Sequence, residues 1–283
     1  MSFIVDRNKQ YGAFGEQMTS HKTPIVQIAN RYQIDPANLN DLEIFEATGG
    51  SADNNGNLFR CQTGTSSGGY GVIRSIETLN YRPGQGVEAQ ITAKFTTGVA
   101  SSLQFAGMFS LTETLAFGYD GTSFSVLHSY NGVAEVQKIT VTATGAGTCR
   151  VTLDGDFVDI SVTNSSVQQN ADELITGLKG DSTINGKWRF DQVDDMVYCI
   201  SKSVGNKTGT MSISGGITAT ISEATQGANK TDGHVAQGSW DSAPFSGFDP
   251  TQLNIYKIQF GYLGAANINF FIYNPAVGEF ELV

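Results

Sequence analysis

The stretch from residue 80 to 132 restricts this chain more than any other. Val87, Ala89, Ile91, Ala93 and Phe95 alternate with Glu88, Gln90, Thr92 and Lys94. A period of two sends successive side chains to opposite faces of a strand, so this segment is a strand with one face buried. Leu103, Phe105, Gly107 and Phe109 repeat the pattern. Leu115–Tyr119 and Ser123–His128 then flank Asp120-Gly121, a dipeptide suited to a tight hairpin turn. The expected result is an antiparallel meander whose apolar face forms one side of a β-sandwich.

The rhythm returns far downstream. Ile255, Lys257, Ile258 and Phe260 open one strand, Ile268, Phe270 and Ile272 the next, and Phe280–Val283 a last one. Residues between about 137 and 234 have a different texture. Two hairpins, one around Asp154-Gly155-Asp156 and one around Asp194-Asp195, flank a segment with Val167, Ala171, Leu174, Ile175 and Leu178 at helical spacing. Ser165 or Ser166 caps its start and Gly180 ends it. A sandwich over 41–136 plus 235–283, split by an inserted small α+β domain at 137–234, is therefore expected. Residues 1–40 read as an extended arm. Pro24 and Pro36 push their neighbours to extended geometry, and Ile25, Val26 and Ile28 are too few to bury themselves. Such an arm lies either on its own body or on another chain.

Only 16% of the residues are charged, and the formal net charge is −10. Acidity of this kind keeps a chain soluble and argues against a nucleic-acid partner, which needs a basic face. No segment approaches the run of about 18 apolar residues needed to span a membrane, and the N-terminus lacks the apolar run of a signal peptide. Cys61, Cys149 and Cys199 are scattered and odd in number, which fits neither a disulfide framework nor a zinc site. Buried small hydrophobes is the reading for Cys149 and Cys199.

Catalytic patterns are weak. His21, His128 and His234 are far apart in sequence and lie in no nucleophile motif. The Asp154–Asp156 turn lacks the spacing of a calcium loop. The glycines of Ser66–Gly71 lack the lysine and following helix of a phosphate loop. Glu279 and Glu281 share a strand face, as a retaining glycosidase pair would, but the third acid of a jelly-roll glycosidase strand is missing. No metal or cofactor is expected. Tyr119, Asp120, Tyr130, Trp240 and Phe245 lie at or near loops and are the candidates for a glycan-stacking rim; the competing reading is that Trp240 and Phe248 cap the sandwich core.

Tyr11-Gly-Ala-Phe-Gly-Glu, Thr23-Pro-Ile-Val-Gln, Tyr81-Arg-Pro-Gly-Gln-Gly-Val, Phe117-Gly-Tyr-Asp-Gly-Thr-Ser-Phe and Tyr256-Lys-Ile-Gln-Phe-Gly-Tyr-Leu-Gly resemble segments of virion fibre and adhesin-like proteins of tailed phages and large algal DNA viruses. The insert resembles small β/α modules of phage tail proteins, and the sandwich resembles the concanavalin-like jelly roll of lectins and laminin-G domains. The resemblance implies a non-enzymatic virion structural protein of fibre, tail or decoration type, residing in the virion. It would be a homotrimer anchored to other virion proteins through an arm carrying Phe14, Pro24, Ile25, Val26 and Ile28. It also implies that a neighbouring chain supplies an edge strand to the sheet. A lectin-like adhesin for host-surface glycan is the alternative, and a glycoside hydrolase the remote one.

Overall fold

The computed structural model describes residues 25–28, 36–78, 86–163, 165–261 and 267–283. The chain divides into two compact units, 1–86 with 261–267, and 87–260 with 268–283.

The described part of the first unit holds four strands: β1 (Leu42–Ala47), β2 (Ser51–Asn55), β3 (Leu58–Gln62) and β4 (Tyr70–Ser75). β1 pairs antiparallel with β4, and β2 with β3. These residues, which sequence patterning assigns to the sandwich, pair with one another instead. Two ion pairs brace the ladders across strands, Arg74 with Glu43 at 2.7 Å and Arg60 with Asp53 at 2.7 Å. The glycines here serve close packing of backbone. A Cβ on Gly71 would sit 2.0 Å from the Ser51 carbonyl oxygen, and one on Gly50 2.2 Å from that of Tyr70. Only a residue without a side chain lets these backbones meet.

The second unit carries, in order, β5 (Val87–Ala93), β6 (Leu103–Phe109), β7 (Thr114–Asp120) and β8 (Ser123–Tyr130). It continues through β9 (Ala134–Ala143), β10 (Gly147–Leu153), β11 (Asp156–Val162), α1 (Val167–Gly180), α2 (Ser182–Lys187), β12 (Trp188–Val193), β13 (Met196–Val204), β14 (Ser212–Ser214) and β15 (Thr218–Thr225). It closes with β16 (Thr231–Asp232), β17 (Val235–Ala236), β18 (Asn254–Phe260), β19 (Asn269–Asn274) and β20 (Glu279–Leu282).

Two antiparallel sheets share the first core. One runs β20-β19-β18-β5; the other runs β6-β7-β8, with β16 and β17 both on the free edge of β8. Phe117, Phe124 and Val126 from one sheet meet Tyr256, Ile258, Phe270 and Ile272 from the other. Burying each such side chain contributes about 1.5–3 kcal/mol. The protein is thus mainly β with a two-sheet sandwich. Within the two sheets most neighbours are adjacent in sequence, and the long-range pairings are β5 with β18 and β8 with β16 and β17.

The second core belongs to the insert. A sheet β12-β13-β9-β15 and a smaller one, β11-β10-β14, pack with α1 around Ile139, Val151, Leu153, Leu174, Leu178 and Trp188. The helix begins where Ser166 stops extended backbone: its hydroxyl accepts from the Gln169 amide at 3.1 Å. Asp181, at the end of α1, caps α2 in turn by accepting from the Ile184 amide at 2.9 Å. The insert enters and leaves at one place, because Thr225 at its end pairs with Val136 near its start, and Val133 bridges Ala228.

Candidate functional site

The return from the insert to the sandwich builds a polar cluster around His234. Asp232 pairs with Ser129, and Val235 with Val126, so the two short strands hold Gly233 and His234 beside the middle of β8. The Gly233 amide donates to the His128 carbonyl at 2.7 Å and ties that gap down. The His234 ring then lies between two oxygens. Its Nδ1 is 3.0 Å from Asp120 Oδ2 and its Nε2 is 3.1 Å from Ser129 Oγ. A second carboxylate, Asp232, stands 3.6 Å from Nε2. With the ring neutral, Nδ1–H donates to Asp120 and Nε2 accepts the Ser129 hydroxyl proton.

Carboxylate, imidazole and hydroxyl in this order are the relay that activates a nucleophilic serine. The surroundings oppose that use. Ser129 is 6% exposed, and it is paired on both sides, with Thr114 and with Asp232. Its amide therefore sits inside the ladder, where a nucleophile's turn would instead present free amides to a developing oxyanion. What the arrangement does is hold the return strand to the sandwich by two hydrogen bonds and, when the ring is protonated, by charge.

Beside it the His128 and Tyr130 rings stand on the opposite face of β8, 4.7 Å apart and tilted. Burial lowers the His128 pKa below the usual imidazole range; the Glu113 carboxylate opposes this, and His234 adds to it. Lys230 is also lowered by burial, with Asp232 and Glu113 acting against it. Its ammonium donates to Thr114 Oγ1 at 3.2 Å and the Ser110 carbonyl at 3.3 Å.

The aromatic rim expected from the sequence is largely spent on the core. Tyr119 is 8% exposed and packs edge-on against Phe124, with ring centroids 5.2 Å apart. Trp240 lies against Phe117 and Phe124 at 6.3 and 6.0 Å, and its indole N–H donates to the Val235 carbonyl at 2.9 Å. Phe245 meets Phe248 at 5.8 Å, and both pack on the sandwich core. Tyr119 is buried, whereas Trp240 and Phe245 are half-buried and keep part of their surface at solvent. Of the five rim residues, Asp120 joins the His234 cluster, while Tyr130 stacks on His128 across β8 from it. Glu281 accepts from the Asn274 side-chain amide at 2.7 Å, while Glu279 is exposed.

Of the arm residues, Phe14 and Pro24 lie outside the described residues. Ile25, Val26 and Ile28 are described, belong to no helix or strand, and are 46%, 37% and 43% exposed. Cys149 and Cys199 are free, buried thiols in the core of the insert. Burial pushes them up to about 11 and about 12, which keeps them protonated and inert. Among the described residues no group of three or more His, Cys, Asp and Glu could hold a metal ion, and no helix is long and apolar enough to cross a membrane. Comparison of the sequence with protein-family models and with curated proteins finds no match.

Proposed function

We propose that this chain is a non-catalytic virion structural protein, of fibre, tail or decoration type, which assembles with copies of itself and attaches through its N-terminal segment. The observation that carries this reading is the exposure of Ile25, Val26 and Ile28. Apolar residues this close in sequence, with no strand or helix of their own, gain free energy only when a surface covers them. Ile25, Val26 and Ile28 are exposed among the described residues, which fits a segment that another chain covers. The resemblance to fibre and adhesin-like proteins supplies the virion context and the trimer. The mainly-β body fits such a role, as it fits many others.

Removal of residues 1–40 tests the attachment directly. The expected outcome is a truncated protein with an unchanged far-ultraviolet spectrum that no longer enters assembled particles. Incorporation of the truncated protein at the level of the full chain overturns the proposal.

A further inference from the structure

The insert carries a cavity of about 240 Å³ lined by Asp154, Lys187, Trp188, Lys202, Ser203 and Lys207. Three lysines in one cavity stand out in a chain with 17 basic residues and a net charge of −10. They come from separate elements. Lys187 ends α2, while Lys202 and Ser203 sit on β13 where its register against β9 breaks between Ile200 and Val204. An irregularity of this kind redirects side chains next to sites. Lys207 follows in the loop after β13.

That loop is fixed from behind. The Lys207 amide donates to Glu135 Oε2 at 2.5 Å, and the same carboxylate takes the Gln137 side-chain amide at 2.7 Å. Glu135 is 1% exposed, so a buried acid is committed to holding the backbone that presents Lys207. Asp154, which also lines the cavity, has φ 51 and accepts from the Gly209 amide at 2.9 Å.

The charges are unevenly satisfied. Lys187 faces Asp156 at 2.5 Å and is paired. Lys202 donates to the Asn185 carbonyl, and Lys207 to Ser203 Oγ at 2.7 Å. Both of these acceptors are neutral. Each ammonium has three protons and spends one on the bond named here. Two lysines with protons to give, in a cavity also lined by Ser203 and Asp154, suit a ligand that combines one anionic group with several hydroxyls. A bare inorganic anion would meet the Asp154 carboxylate without the compensating hydroxyl bonds.

We infer that this cavity binds a monosaccharide-sized sugar acid, its carboxylate between Lys202 and Lys207 and its hydroxyls toward Asp154 and Ser203. The site lies wholly within the insert, and it stands or falls independently of the assembly reading.

The test titrates the full-length protein with D-glucuronate, N-acetylneuraminate, glucose and inorganic sulfate, following backbone amide signals by NMR. At least one of the two sugar acids should bind saturably, tenfold or more tighter than glucose and tighter than sulfate, shifting the amides of residues 202–207. Lys202→Gln with Lys207→Gln, which keeps the amide that Glu135 holds, should weaken that binding tenfold or more. Lys179→Gln on α1, whose residue does not line the cavity, should leave it unchanged. Sulfate binding as tightly as both sugar acids, shifts confined to residues away from the cavity, or no binding by either sugar acid would each overturn the inference. Should the double variant lose its folded spectrum, the shift map and ligand ranking of the natural chain decide alone.

Discussion

His234 joins residues that the sequence keeps 105 and 114 positions away, Ser129 and Asp120. We expect Ser129 to resist a fluorophosphonate probe, because its hydroxyl is buried and its amide is in the ladder; stoichiometric labelling at Ser129 would contradict the non-catalytic reading. Its neighbour His128 gives a pH dependence. Burial lowers the folded-state pKa, so between that value and the unfolded value of about 6.5 the unfolded chain binds more protons. The contribution of His128 to stability is therefore fully present above about pH 6.5 and is lost as pH falls through the folded pKa. His128→Gln should flatten the acid limb of a chemical-denaturation series; an unchanged limb contradicts the assignment. Little of this cluster was legible in the sequence. Alternation places Asp120 at a turn and His128 on a strand face, but no local pattern tells which distant strand returns beside β8. Tyr119 and Trp240 illustrate the same limit: nearness to a loop does not say whether a ring turns out to solvent or in to the core.

Elements were more legible, because their signals are local. Helix α1 follows from apolar spacing and a cap within a few residues, and the Ser166 hydroxyl accepts the Gln169 amide. Ser166→Ala should cost about 1 kcal/mol, and Leu174→Ala, at a fully buried position, about 2–5 kcal/mol. Urea denaturation measures both; equal losses for the two would contradict the packing described for α1. The hairpins are legible for the same reason, since Asp154-Gly155 has φ of 51 and 85 and such turns select these residues. Strands β1 to β4 show where local reading stops. Their sequence is as strand-like as that of β5, yet they form ladders of their own. Close backbone approaches at Gly50 and Gly71 accompany those ladders, and a pattern of apolar residues does not encode them.

At the scale of the whole molecule, the insert's own core and its adjacent ends imply a separable part. Replacing residues 134–226 by a short Gly/Ser linker should leave a sandwich that still unfolds cooperatively. A non-cooperative remainder would show that the insert completes the sandwich core. Assembly through the N-terminal segment is tested most directly by native mass measurement. The full chain is expected to form a discrete, concentration-dependent oligomer, a trimer in the fibre-like reading. The same chain carrying Ile25→Asn, Val26→Ser and Ile28→Asn should be a monomer with an unchanged melting curve. A full chain that stays monomeric across the concentration range, or a variant that assembles as fully as the natural sequence, would contradict the account.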